Sequence, residues 1–198
     1  RGSDNAWNVT QLSGAMPLGQ LNHNVNVAEV AVAIDQVSNH VHIAYIDSTN
    51  NQVYHAECTN PTNPVNANWT AFGANVYQRC DNAVNGKRAV SIAVDKNVGA
   101  GTQSPHVIWE EAGNSIGYNC SIVGAHTMGV APVTLANTPG ETSPTIIVAN
   151  DEGREPYAFW IDSLGTSIEC MKVIDPANPQ VGGNWGGPAA GAGLGPDI

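Results

Sequence analysis

The sequence predicts an all-β fold built from about three copies of a four-stranded antiparallel unit. Three observations support this prediction: short runs of alternating apolar and polar residues, self-similarity along the chain, and no sustained apolar stripe at helical spacing. The stretch HVHIAYIDSTNNQVYHAEC at residues 40–58 shows the first of them. Its two alternating runs are separated by STNN, which is typical of a β-hairpin.

The hairpin segment occurs three times. The three copies are VHIAYIDSTNNQVYHAE, PHVIWEEAGNSIGYNCS and PYAFWIDSLGTSIECMK, at residues 41–57, 105–121 and 156–172. At one position of this alignment all three copies have a large aromatic residue: Tyr45, Trp109 and Trp160. A carboxylate follows two residues later, and the returning strand opens with an aliphatic residue: Asp47, Glu111 and Asp162, then Val53, Ile116 and Ile168. Self-similarity of this kind indicates a repeat architecture.

The residue pattern of each copy predicts four strands. The first is nearly all apolar, which is typical of a strand covered on both faces: VAVAID at 30–35, VSIAVD at 90–95 and TIIVAND at 145–151. The hairpin supplies the second and third strands. The fourth strand begins with Asn-Trp at residues 68 and 184 in two copies, and with APVTLA at residue 131 in the other. Four antiparallel strands per repeat of roughly 50–60 residues indicate a β-propeller blade.

These repeats resemble those of secreted bacterial sialidase-like (BNR-type) β-propellers, and the resemblance covers most of residues 28–190. It implies propeller architecture. The sialidase Asp-box, Ser-x-Asp-x-Gly-x-Thr-Trp, is absent from all three copies. The only arginines do not match the arginine triad of sialidases: Arg1, Arg79, Arg88 and Arg154. The resemblance therefore implies the fold of the family but not its catalytic activity.

The repeats divide the chain into six segments. These are a probable tag remnant, the fourth strand of a preceding blade with its connection, three blades and a Gly/Ala/Pro-rich coil tail: 1–3, 4–27, 28–85, 86–139, 140–190 and 191–198. Three blades do not readily close a ring, because propellers typically have at least about four. The sequence therefore predicts part of a larger propeller or an oligomeric one, with self-association of copies favoured over a free monomer.

Composition narrows the range of partners. The 198 residues carry 17 Asp plus Glu against 7 Lys plus Arg, a formal charge of −10. This balance disfavours nucleic acid and anionic lipid surfaces. No apolar run is long enough for membrane insertion, which requires roughly 18–20 residues. Three glycosylation-type sequons, scarce lysine and a polar, uncharged surface favour an extracellular or secreted protein; the sequons begin at Asn8, Asn68 and Asn119.

No metal or cofactor is predicted. The spacing of the four cysteines matches no zinc signature, and the thiols are expected to be buried or to form one or two disulfides: Cys58, Cys80, Cys120 and Cys170. A zinc site formed by His40, His42 and His55 is the alternative to ordinary polar histidines at a strand edge. The ordinary role is favoured.

No catalytic residues are predicted. The repeated carboxylate at Asp47, Glu111 and Asp162 is expected to cap the following turn, and a ring binding calcium or a cationic ligand is the alternative. Glu110 and Glu111 are adjacent in a strand and should face opposite sides, which suits no two-carboxylate hydrolase. No nucleophile-elbow, zinc-protease or phosphate-loop motif occurs.

The predicted ligand-binding residues are Asn68, Trp69, Asn184 and Trp185, because sugars stack on indole rings and bond to amides. The alternative places these tryptophans in the core between blades. The sequence thus predicts an extracellular, non-catalytic recognition module that binds a glycan or cell-surface ligand. Two alternatives remain: a self-assembling structural protein of a filament, surface layer or phage adhesin, and a fragment of a propeller glycoside hydrolase.

Overall fold

The all-β prediction is confirmed in a computed structural model. It describes residues 26–61, 68–70, 78–81, 86–95, 105–113, 115–121, 128, 131–149, 155–174, 179 and 182–186. In these residues helical backbone is limited to 3-10 turns, at Asn68 and at Gly182–Asn184. No helix in the described part of the chain has the length and apolar character needed to cross a bilayer. The predictions for 1–3, for nearly all of 4–27 and for 191–198 lie outside the described residues.

The strands form three antiparallel sheets, each taken in chain order. Sheet 1 contains β1 (Val27–Ile34), β2 (Val41–Asp47), β3 (Gln52–Cys58) and β4 (Trp69–Thr70), and β5 (Gln78–Arg79) also pairs with β3. Sheet 2 contains β6 (Lys87–Val94), β7 (Pro105–Glu111), β8 (Ile116–Cys120) and β9 (Val133–Ala136). Sheet 3 contains β10 (Thr142–Ala149), β11 (Glu155–Ile161), β12 (Ile168–Val173) and β13 (Trp185–Gly186).

The three hairpins lie where the repeats predict them. In sheet 1, Tyr45 pairs with Tyr54 and Asp47 with Gln52, so the register of the stretch at 40–58 is continuous. Asn51 has a φ of 54°, in the left-handed region that asparagine adopts more readily than most residues. Gly165 has a φ of 68° in the corresponding turn of sheet 3. Turn chemistry therefore fixes where each hairpin reverses.

The sheets stack in chain order, with β1 packed on β6 and β6 packed on β10. One apolar cluster lies between sheets 1 and 2 and contains Trp109; the next lies between sheets 2 and 3 and contains Trp160. Tyr45 belongs to a third cluster, on the face of sheet 1 away from sheet 2. The three aligned aromatic residues are therefore equivalent in the structure: in each sheet, the ring lies on the face that points toward the start of the stack.

The expectation for the first strands is wrong. β1 and β10 alternate between exposed and more buried residues, and β6 alternates mainly between half-buried and buried ones, whereas β2, β3 and β7 are buried along nearly their whole length. Each first strand pairs with only one neighbour and forms an edge of its sheet. The hairpin strands lie inside the sheet, so neighbours cover them from more sides.

Within sheet 2, the ring of Trp109 packs directly over the neighbouring strand β8. Gly117 pairs with Trp109 across β7 and β8. A Cβ atom at Gly117 would lie 2.4 Å from Cε2 of Trp109, which is far inside van der Waals contact. Glycine at this position therefore makes room for the fully buried indole.

Candidate functional site

The two predicted sugar-stacking rings are buried. Trp69 is 7% exposed and Trp185 is 5% exposed. Trp185 packs edge-on against Tyr118, with ring centroids 4.7 Å apart, and its Nε1–H donates to the carbonyl of Pro179 at 2.8 Å. Rings enclosed in this way offer no free face to a sugar, so their placement matches the core alternative that the sequence left open.

The asparagines before these tryptophans close two loops. The N–H of Thr59 donates to the carbonyl of Asn68 at 2.8 Å, and the N–H of Ile174 donates to the carbonyl of Asn184 at 2.6 Å. Both bonds join the end of a third strand to the start of a fourth strand. Asn68 and Asn184 therefore act through backbone carbonyls, at the point in sheets 1 and 3 where the fourth strand begins.

The three histidines of the alternative zinc site come together only in part. Nδ1 of His42 lies 3.0 Å from Nε2 of His55, and both rings are buried, whereas Nδ1 of His40 bonds to Oε1 of Glu57 at 2.5 Å. Burial lowers the pKa of His42 from 6.5 to about 4 and holds that of His55 well below its usual value. No group of three or more potential metal ligands converges in the described part of the chain.

The repeated carboxylates cap turns in the first and third copies, as predicted. Asp47 accepts the N–H of Thr49 at 2.8 Å. Asp162 accepts the N–H of Thr166 at 2.7 Å and both the N–H and the hydroxyl of Ser167 at 3.1 and 2.8 Å. These hydrogen bonds, chiefly those from Ser167, lower the pKa of Asp162 to about 2.

The middle copy departs from this pattern. Oε1 of Glu111 accepts Nε1–H of Trp109 at 2.9 Å, so its side chain holds the buried ring. Glu110 points to the other side of sheet 2, where it accepts the N–H of Ser143 in sheet 3 at 3.3 Å. The two adjacent carboxylates thus bond to groups on opposite faces, as the strand geometry predicts.

A buried ionic cluster lies between sheets 1 and 2 and was missed at the sequence level. Nζ of Lys87 lies 3.3 Å from Asp81 and 3.5 Å from Glu111, with no exposed area on the lysine or aspartate side chain. Asp81 also accepts Nε–H of Arg79 at 2.9 Å. Lys87 and Glu111 pair across β6 and β7, whereas Arg79 and Asp81 come from β5 and the residues after it. No sequence signal marks this cluster, because only the stacking of sheets 1 and 2 brings these two pairs together.

Three of the four cysteines and the asparagine of one sequon are buried in the fold. All four cysteines are free thiols; Cys170 is partly exposed and the other three are buried. Asn119, from the third sequon, is 1% exposed and its amide donates to the carbonyl of Cys80 at 2.6 Å. This side chain is therefore enclosed in the folded protein and joins sheet 2 to the segment after β5.

Strand β1 carries a row of exposed apolar side chains. Val30, Val32 and Ile34 are 55%, 59% and 60% exposed and lie on the face of sheet 1 turned away from sheet 2. We call this row the sheet 1 end face. Such a contiguous apolar row is typical of a contact surface.

The opposite end of the stack carries a second apolar surface. Ile147, Ile161 and Ile168 are 49%, 37% and 56% exposed. They share a face with the half-buried Phe159 and Cys170, turned away from sheet 2. We call these five residues the sheet 3 end face. The described residues thus provide equivalent backbone bonds before two fourth strands, and exposed apolar side chains on β1 and on sheet 3. Comparison with known proteins found no matching family model and no matching curated protein.

Proposed function

We propose that the chain is an extracellular, non-catalytic recognition module of β-propeller type, and that the loops between its third and fourth strands bind a glycan. The equivalent closing bonds at Asn68 and Asn184 carry this proposal. They lie at the same place in two repeats, where each sequence between the third and fourth strands is rich in Asn and Pro. Repetition of one loop position favours a ligand that is itself repetitive.

Anchoring of the loops supports binding. The indole of Trp185 is fixed in the core and bonds through Nε1–H to Pro179 inside the second loop. Fixing points along a loop lowers the entropy that the loop loses on binding. Asn and Thr side chains provide both donors and acceptors, which sugar hydroxyls require. In this proposal the tryptophans position the loops, and the polar loop residues contact the sugar.

A glycan array probed with the wild-type chain at physiological salt tests the proposal. Trp185→Phe keeps an aromatic ring in the core but removes the bond to Pro179, so binding should weaken. Trp160→Phe is the matched control, because it removes an indole hydrogen bond of 2.7 Å to Glu169 elsewhere in sheet 3. Wild-type protein that binds no glycan, or equal loss of binding in both variants, contradicts the proposal.

A third variant separates side-chain contact from loop closure. Asn184→Ala retains the backbone carbonyl that accepts the N–H of Ile174. If the asparagine contacts the sugar, binding falls while the thermal midpoint stays near that of the wild type. If only the carbonyl matters, the variant binds the glycan as the wild type does.

A further inference from the structure

We propose that the folded chain forms an amide bond between Nζ of Lys87 and Cγ of Asp81, with the loss of one water molecule. The bond joins the segment after β5 in sheet 1 to the start of β6 in sheet 2. It does not depend on glycan binding, because it involves only the buried ionic cluster between these two sheets. The step occurs once in each chain and turns over no substrate, so it is compatible with a non-catalytic module.

The two reacting side chains touch in a site from which water is excluded. Nζ of Lys87 lies 3.3 Å from Oδ2 of Asp81, and neither side chain has exposed area. Holding an amine and a carboxyl group in contact replaces a bimolecular encounter by a unimolecular step, with an effective concentration on the order of 10⁵ M or more. Burial of two charges is costly, so a dry site favours the uncharged amide over the ion pair.

Backbone hydrogen bonds fix the residue directly before each reacting one. The N–H of Cys80 donates to the carbonyl of Val53 at 2.7 Å, which ties the aspartate segment to β3. The N–H of Ala112 donates to the carbonyl of Gly86 at 2.5 Å, which ties the lysine segment to the end of β7. The distance between the two side chains is therefore set by the stacking of two sheets.

Two donors activate the carboxyl group. Oδ1 of Asp81 accepts Nε–H of Arg79 at 2.9 Å and the backbone N–H of Val53 at 3.3 Å. Donors on this oxygen draw electron density from Cγ, and they stabilise the negative charge that develops on Oδ1 when an amine adds, as an oxyanion hole does. Oδ2, the oxygen that faces the lysine, is then the one that leaves.

Glu111 is placed to move protons. Its Oε1 lies 3.5 Å from Nζ of Lys87, and its side chain is 18% exposed. The same oxygen accepts Nε1–H of Trp109 at 2.9 Å, so the carboxylate is held in one orientation. Glu111 therefore contacts both the dry site and solvent, as a group that carries a proton between nitrogen and oxygen requires.

The step balances in atoms and charge. A proton passes from the ammonium group of Lys87 to Oδ2 of Asp81, the Nζ lone pair adds to Cγ, and Glu111 carries a second proton from Nζ to Oδ2. The Cγ–Oδ2 bond breaks, water leaves, and an amide with one N–H remains. No oxidant, reductant or other reactant takes part. Until the step occurs, the side chains form the ionic cluster, and its stability is that of its ion pairs.

The cluster is a feature of one interface and not a requirement of the repeat. Lys87 pairs with Glu111 at the start of sheet 2 as Val27 pairs with Asp47 at the start of sheet 1. Valine has no nucleophilic group, and it is tolerated at this position. A buried ion pair is often no more stabilising than apolar side chains of similar volume. Stacking alone therefore does not explain the lysine, whereas a covalent bond does.

Mass spectrometry of the folded wild-type chain tests the proposal. The intact mass should fall below the sequence mass by one water molecule. Trypsin does not cleave after an acylated lysine, so digestion should release residues 80–88 as one peptide, lighter by one water. Fragmentation of this peptide should give no separated products from breaks within 81–87, because the ring holds the two halves together. A succinimide at Asp81 also removes one water, but its peptide separates at these positions.

Variants assign the roles. Lys87→Arg keeps a cation but has no primary amine, so it should retain the full mass. Glu111→Gln keeps an acceptor for Trp109 but cannot carry the proton, and it should slow the loss of water after cell-free synthesis by roughly 100-fold or more. Glu110→Gln is the matched control, because the neighbouring carboxylate bonds to sheet 3 on the other side, and its rate should equal that of the wild type.

Circular dichroism of each variant checks that the sheets persist, and the mass of the wild type needs no variant to be read. A folded wild type that has the full sequence mass overturns the proposal. Loss of water that persists in Lys87→Arg, a peptide that separates within 81–87, or equal rates in Glu111→Gln and Glu110→Gln also overturns it.

Discussion

Nδ1 of His42 lies 3.0 Å from Nε2 of His55 in a buried, stacked pair that joins β2 to β3. One ring nitrogen must donate and the other accept, so the contact requires that at least one imidazole be neutral. Sheet 2 contains a third buried imidazole: Nδ1 of His106 bonds to the hydroxyl of Tyr118 at 2.7 Å, and burial lowers the pKa of His106 to about 3.

Acidification should destabilise the protein between pH 6.5 and pH 4. In this window the unfolded chain protonates its histidines while His106 stays neutral in the folded state. The unfolded state then binds more protons, and the free energy of unfolding falls as pH falls. With a pKa of about 3 against 6.5, His106 alone accounts for about 3 kcal/mol at pH 4.

Urea unfolding at pH 7 and pH 4 measures this loss, and His106→Gln is the informative variant. Glutamine retains an acceptor for Tyr118 but has no proton to gain, so the loss between the two pH values should be smaller. Asp162 has a pKa lowered from 3.8 to about 2, so its contribution is lost only at lower pH. Equal pH dependence in wild type and variant would contradict the assignment to His106.

Gly117→Ala should destabilise the protein by about 1–3 kcal/mol, because the new methyl group would overlap the indole of Trp109 in a packed core. Gly183→Ala is the control: a Cβ at Gly183 meets no atom within 4 Å. Denaturant unfolding of both variants gives the comparison. Similar midpoints for the two would show that Trp109 moves aside without cost.

Lys87→Met should destabilise the protein by about 3 kcal/mol, because it removes a cation from beside the buried Asp81 carboxylate. Arg88→Met is the control, since Arg88 has a 67% exposed side chain and a 3.8 Å contact with Glu110, and its loss should cost less than about 1 kcal/mol. In a double-mutant cycle, adding Asp81→Asn to Lys87→Met should recover part of the loss. Strict additivity would show that the two groups do not interact.

Local chemistry explains why the hairpins were predictable. Apolar and polar alternation, the turn asparagine at Asn51 and the capping carboxylates at Asp47 and Asp162 all act within one hairpin. The environment of Trp69 and Trp185 was not predictable, because an Asn-Trp pair at a strand start reads the same for an exposed ring and a buried one. The cover over each ring comes from residues distant in sequence, such as Tyr118 against Trp185.

The sequence by itself determined the all-β class, the three hairpins and the equivalent positions of Tyr45, Trp109 and Trp160. It did so because the alternation of apolar and polar residues along a strand indicates which side chains are buried. Only the tertiary structure decided which rows stay in water. Val32 and Ile146 are both aliphatic residues of a first strand, yet one is 59% and the other 3% exposed. The difference arises because sheet 2 covers Ile146, whereas neither of the other two described sheets covers Val32, and stacking depends on residues far apart in the chain.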